Sequence, residues 1–308
     1  MQTTAWAAAD PTADSDLPIR LVIAYDLAPD SERAIGLVAR AVWPPGSVAR
    51  LVTSTTGIGA NLSSFAGPRQ SRAHARQLRT AVASAQARAA ATLSGAGLKV
   101  ETAIGAGSPG GTVVSAARML DADLIVAGAR SQSAVAATLL GSVSAEITER
   151  ARCSVLIVRV ESIERVVVAI DGSPAAEAAT AIVRRWPLFA KCAIRVVGVV
   201  PPRRSLAESI LPEPPTGGDA GELGEGIGQA QALVDAALGR LADAGRRAAG
   251  AVRVGNPAVE IAAAVREWPA DLVVMGCSSK TLVRRLILGS VARSVLQDVR
   301  SSVLIVRP

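Results

Sequence analysis

DADLIVAG at residues 121–128 is written a second time, as PADLVVMG at 269–276. Each copy is a polar turn, a short apolar run and a closing glycine. Two further stretches recur at the same offset of 148 residues (121 to 269). Gly107-Ser108-Pro109 matches Gly255-Asn256-Pro257, and SVLIVRV (154–160) matches SVLIVRP (302–308). Nearer each start the offset shrinks, with Asp26 matching Asp171 and Trp43-Pro44 matching Trp186-Pro187. Length differences therefore fall mid-repeat, in loops. The chain is a duplication, and that sets its architecture.

The apolar runs are too short for helices and are flanked by alanine-rich stretches. Strands are expected near 19–25, 48–53, 98–104, 123–127 and 155–159, then at 165–170, 193–200, 251–254, 271–275 and 302–306. Helices in the second repeat are expected at about 174–186, 227–247, 257–267 and 290–298. Continuously apolar strands are covered on both faces, and strands alternating with helices imply right-handed crossovers and a parallel sheet. The fold class is α/β: two tandem doubly wound, Rossmann-like domains, each a five-stranded parallel sheet with helices on both faces. The expected boundaries are a disordered leader at 1–17, one domain at 18–161 and a second at 162–308. Two domains of about 150 residues also suit the 308-residue length. Ser173-Pro174 and Asn256-Pro257 place a capping side chain before a proline at a helix start. Trp43 and Trp186 are expected to close the first helix of each repeat and to pack on the sheet.

Composition narrows the function classes. Half the residues are apolar and 19% are charged, which suits a buried core. No apolar run reaches the length of a membrane span, and the N-terminus lacks the basic start and apolar centre of a signal peptide. The net charge of +7 is carried almost wholly by arginine, and Tyr25 is the sole tyrosine. Few aromatic residues are available to stack on bases, so nucleic acid is not expected as a partner. Cys153, Cys192 and Cys277 form no close pair, against a disulfide framework or zinc site and for a reducing cytoplasm. His74 is the only histidine, so a two-histidine metal site is excluded.

Ligands of open α/β sheets bind beyond the carboxyl ends of the strands. There the chain places Asp26 and Asp171 after the first strand of each repeat, and Gly128 and Gly276 after the fourth. Gly141-Ser142 and Gly289-Ser290 then open the last helix. Glycine admits close approach by an anion, serine supplies a hydroxyl, and a helix N-terminus offers unpaired N–H groups. Helix capping by Ser142 and Ser290 explains the same pattern without a ligand.

These features resemble the universal stress protein family in its tandem form, over nearly everything from Ile19 to Pro308. The resemblance rests on an aspartate ending the first strand, a G-x-P step before the third helix, a G-x2-G-x9-G-S/T loop and a final SVLIV strand. It implies a cytoplasmic stress-response protein. Many members bind ATP in the glycine loop, with or without Mg2+, and one branch does not. Carried over, Asp171 would meet the adenosine, the backbone near Val199 the base, and Gly276, Gly289 and Ser290 the phosphates and ribose. The first-repeat equivalents are Asp26, Gly128, Gly141 and Ser142, with Ser54 at the base position. The family also pairs domains through the last strand, which implies a pseudo-twofold within this chain, with a homodimer as a further option.

Both repeats depart from the motif at its second glycine, which is Ser131 in one and Ser279 in the other. A serine held at positive φ costs about 1 kcal/mol or more, although its hydroxyl can donate to phosphate. Lys280, Arg284 and Arg285 give the second loop positive charge, and the second repeat is expected to hold the nucleotide. Cys277 reads as a small residue tolerated in the turn, and 201–228 as a mobile loop beside the site. The function expected is ATP binding by a regulatory protein, with weak ATPase activity at most, since the chain has no P-loop GK[S/T]. The alternative is a nucleotide-free scaffold or partner-binding protein with a vestigial site.

Overall fold

A computed structural model describes residues 17–56, 68–129, 140–202, 218–277 and 288–308, and of residues 68–75, 78 and 218–220 the backbone alone. The first half runs β1 (Arg20–Ala24), α1 (Pro29–Arg40), β2 (Val48–Ser54), α2 (Pro68–Gly95), β3 (Lys99–Gly105), α3 (Pro109–Leu120), β4 (Leu124–Gly128), α4 (Ser142–Arg150) and β5 (Ser154–Val158). The second half repeats the order: β6 (Arg165–Ile170), α5 (Pro174–Arg185), β7 (Ala193–Val200), α6 (Gly218–Asp243), β8 (Arg247–Val254), α7 (Pro257–Glu267), β9 (Leu272–Gly276), α8 (Ser290–Asp298) and β10 (Ser302–Val306).

Among the described residues ten strands form one sheet, ordered β3-β2-β1-β4-β5-β10-β9-β6-β7-β8. Pairing within each half is parallel. The halves meet where β5 and β10 pair antiparallel, with Leu156 opposite Leu304, Ile157 opposite Val303 and Val155 opposite Ile305. Leu156 and Leu304 are equivalents at the offset of 148, so a pseudo-twofold axis passes through their pair. The two expected five-stranded sheets are thus one continuous sheet.

Alternation along the strands fills two cores. Leu21, Ile23 and Leu51 face the layer of α1 and α2, joined by Val166, Val168 and Ile194 under α5 and α6. Val22, Val52 and Ile125 face α3 and α4, joined by Val167, Val197 and Val273 under α7 and α8. Each fully buried leucine, isoleucine or valine contributes roughly 1.5–3 kcal/mol. The halves differ inside the first core. Gln86, 2% exposed, donates through Nε2 to Thr53 Oγ1 and the Ala103 carbonyl, both at 3.0 Å. Its equivalent Val234 packs instead where a Cβ on Gly250 would stand 2.3 Å away.

The expected caps form. Ser173 Oγ accepts from the Ala176 N–H, and Asn256 Oδ1 accepts from Ala258 and Val259. Trp186 caps the end of α5 and stacks on Phe189 at 6.5 Å between centroids, while Trp43 donates Nε1–H to the Val38 carbonyl. Both tryptophans pack against the first core. Three boundaries differ from expectation. Helix α6 stops at Asp243, because Gly245 at φ +68 turns the chain, and β8 starts at Arg247. The helix also begins at Gly218, so the second part of the stretch expected to be a loop is helical. Residues 203–217 of that stretch, and the leader through 16, lie outside the described residues.

Candidate functional site

The sheet order reverses between β1 and β4 in the first half and between β6 and β9 in the second, and the site residues gather at the carboxyl ends of these strands. Asp26 follows β1, and its Oδ1 accepts from the Ala28 N–H at 3.1 Å. Asp171 follows β6, is exposed, and its Oδ1 accepts from the Ser173 N–H at 3.0 Å. Each aspartate therefore shapes the turn into the first helix. The residue after it is left-handed in both halves, Gly172 at φ +75 and Leu27 at φ +66. Glycine takes that conformation freely, whereas a leucine there stores roughly 1–2 kcal/mol of strain.

Gly128 and Gly276 end β4 and β9 directly against the first turn of the neighbouring helix. A Cβ on Gly128 would stand 2.5 Å from the carbonyl carbon and oxygen of Asp30, and one on Gly276 would stand 2.5 Å from the carbonyl carbon of Ala175. Close approach of backbone to backbone requires glycine at both positions, independently of any ligand. The second glycines serve differently. Gly141 (φ −62, ψ 152) and Gly289 (φ −61, ψ 155) are the N-caps of α4 and α8, and among the described residues neither helix has a side-chain cap. Ser142 and Ser290 occupy the first helical position and are exposed. The reading of these serines as caps is thereby corrected: a glycine holds the cap, and the serine hydroxyls stand beside uncapped N–H groups.

The structure brings Asp26, Ser54 and Gly128 together with Val143 and Ser144 around a cavity of about 80 Å³. Ser54 donates its hydroxyl to the Gly107 carbonyl at 2.9 Å, tying β2 to the glycine turn before α3. Gly141 and Ser142 start the helix that carries Val143 and Ser144. Val199, the second-half counterpart of Ser54, is partly buried at the end of β7 against the second core. Ser131, Ser279, Lys280, Arg284 and Arg285 lie outside the described residues. Cys277 is described, and its N–H donates to the Val306 carbonyl at 2.8 Å.

Sequence reasoning missed three participants. Ser144, at the third position of α4, donates to the Gly128 carbonyl at 3.0 Å and locks helix to strand. Leu27 was invisible because its torsion angle is set by the turn. Tyr25, 3% exposed, donates its hydroxyl to Glu32, and burial with that carboxylate beside it raises its pKa above the ordinary phenol value. Its single occurrence was the one signal available. Among the described residues no cluster of metal-ligating side chains occurs, and no helix is long and apolar enough to cross a membrane.

Comparison with known proteins agrees with this layout. The model of the universal stress protein family matches residues 20–159 and again 162–307. No curated protein matches the chain. A universal stress protein from Archaeoglobus fulgidus DSM 4304 is 20% identical, covers 94% of this chain and 96% of its own, and superposes with a TM-score of 0.61. A putative universal stress protein from Pseudomonas aeruginosa UCBPP-PA14 is 17% identical, with 94% of both chains covered and a TM-score of 0.59. At these identities the likeness is one of fold. A universal stress protein solved in complex with cAMP is 24% identical over 47% of this chain and 98% of its own, at a TM-score of 0.33. With the family model matched across both halves, and with one sheet order written twice about the β5–β10 pair, the chain belongs to the universal stress protein family.

Proposed function

We propose that this protein is a cytoplasmic stress-response regulator that binds ATP, with the second half, residues 162–308, carrying the working site. The observation that carries the reading is the start of α8. Gly289, the N-cap, has no side chain to cap the helix, no cap comes from the described residues, and Ser290 stands exposed beside it. An uncapped N-terminus presents free N–H groups and the positive end of the helix dipole, which suits phosphate, with or without Mg2+ on its oxygens. Asp171, exposed at the end of β6, suits a ribose hydroxyl or the adenine amine, and the backbone at Val199 the base edge. Gly276 and Ser279 complete the loop as the resemblance implies. The three cysteines, with no close pair in the sequence, support the cytoplasmic placement.

The first half supports a lesser role. Its turn carries the strained Leu27 where the second half has Gly172. Titration calorimetry of the full chain with ATP tests the proposal. One nucleotide should bind with measurable heat, and Gly289→Asp should abolish it by setting a carboxylate against the phosphates. Absence of ATP binding by the folded wild-type chain refutes the reading and leaves the scaffold alternative.

A further inference from the structure

Two arginines cross the junction between the halves. Arg159 follows β5 and Arg307 follows β10, at the same offset of 148 as the repeats. The Arg159 N–H donates to Ser302 Oγ at 3.0 Å, and its guanidinium reaches the far half. Nη2 donates to the Leu296 carbonyl at 2.7 Å and Nη1 to the Ser301 carbonyl at 3.1 Å. Leu296 lies in the last turn of α8, past the final intrahelical bond from the Val299 N–H to the Val295 carbonyl. Its carbonyl is therefore one of the unpaired acceptors of a helix C-terminus. Arg307 mirrors the arrangement. Its N–H donates to Ser154 Oγ at 3.4 Å, and its Nη2 donates to the carbonyl of Thr148, the equivalent of Leu296 in α4.

The same two strand ends hold the glycine loops. Ala129, the residue after β4, donates its N–H to the Val158 carbonyl at 2.9 Å, and Cys277 does so to Val306 at 2.8 Å. Val158-Arg159 thus connects the loop of the first half to the last helix of the second. Val306-Arg307 makes the reverse connection. A guanidinium at a helix C-terminus offsets the negative end of the dipole, which leaves the positive end, about 13 Å away along nine residues, better able to hold an anion.

We infer that Arg159 and Arg307 are positioning residues acting crosswise: Arg159 of the first half holds and polarises α8, whose N-terminus faces the phosphates of the second-half site, and Arg307 does the same for α4. This rests on the nucleotide reading above. The arms are unequal. Arg159 satisfies its guanidinium on two carbonyls, whereas Arg307 Nε and Nη1 are buried without a hydrogen-bond partner among the described residues. Burial lowers the Arg159 pKa to about 10, which still leaves it a cation at neutral pH. The stronger arm therefore serves the second half. A direct pair between the helices, Arg293 to Glu149 at 3.1 Å, is half-exposed and adds little.

Two measurements on the full chain test the inference. Without nucleotide, Arg159→Met should speed hydrogen exchange in residues 290–298 and spare 142–150, and Arg307→Met should do the reverse. With the first site blocked by Gly141→Asp, Arg159→Met should weaken ATP binding roughly two- to fivefold, and by clearly more than Arg307→Met does. Arg159→Lys, which keeps the charge, should return most of that loss. Exchange that rises equally in both helices or in the arginine's own half overturns the crosswise assignment. So does equal weakening by both methionine variants, or a lysine no better than methionine. A wild-type chain that binds no ATP refutes the function proposed above, and the exchange result then decides the crosswise contact by itself.

Discussion

Replacing Gly276 by alanine separates the two reasons a glycine can stand at the end of β9. The added Cβ would lie 2.5 Å from the carbonyl carbon of Ala175 and 2.7 Å from both its oxygen and its Cβ, where ordinary contacts begin at 3.4 Å. The first turn of α5, with Ala175 itself 5% exposed, must retreat by about 1 Å. Overpacking of this kind costs roughly 1–3 kcal/mol, and the lower entropy of the unfolded chain returns about 0.4–1 kcal/mol. The expected net loss is about 1–2 kcal/mol, or a fall in Tm of about 2–8 °C. Gly289→Ala is the matched control, because φ −61 and ψ 155 suit any residue. There the loss of a glycine N-cap, about 0.5–1 kcal/mol, is offset by the same entropy gain of about 0.4–1 kcal/mol. Urea unfolding of the two variants beside wild type reads both. A Gly276→Ala chain within 0.5 kcal/mol of wild type, on the order of error in such measurements, would show that the glycine is not kept for space. Equal losses in the two variants would defeat the distinction.

Burial raises the Cys153 and Cys192 thiols from 9.0 to about 11, and Tyr25 shifts the same way. The folded state favours the protonated form of each, so their stabilisation is complete below pH 9 and is lost as pH rises through 11. Each thiol accounts for on the order of 1–2 kcal/mol at the alkaline end. Urea midpoints measured from pH 8 to 11 should therefore fall, and less steeply in Cys153→Ala; an unchanged slope contradicts the assignment. Asn256→Ala removes the acceptor for two N–H groups at the start of α7, and should cost about 1 kcal/mol by the same assay. A loss under a few tenths would mean that the proline at the first position carries the helix start alone.

The duplication made much of the fold legible, since each strand could be read twice and aligned with its copy. Strands at 165–170, 193–200 and 302–306 and helices at 257–267 and 290–298 lie where the apolar pattern puts them. The first residues of β8 escaped because RAAG has no β-branched side chain and pairs through its backbone with β7. The start of α6 escaped because its glycines read as loop. The aspartates and glycines stand at the strand ends and helix starts where the repeat puts them, but the packing that fixes them is not visible in the sequence. Gly128 and Gly276 are fixed by a helix distant in sequence, which spacing does not reveal. Ser142 and Ser290 looked like caps because glycine–serine at a helix start allows either residue that role. The reach of Arg159 and Arg307 depends on which strand pairs with β5, a fact of tertiary structure alone.

The antiparallel meeting of β5 and β10 also bears on how the two halves could change. A dimer of identical chains built on this axis would carry every substitution twice, once at each site. Joined in one polypeptide, the pair forms at any concentration, since the partner is always tethered, and each half has its own gene segment. Residues on the axis, Leu156 against Leu304, are still alike. Away from it the halves have separated: Leu27 against Gly172, Gln86 against Val234 and Ser144 against Ala292. Covalent fusion released the periphery from symmetry while the seam kept it, so one half is free to keep a ligand and the other to lose or exchange it.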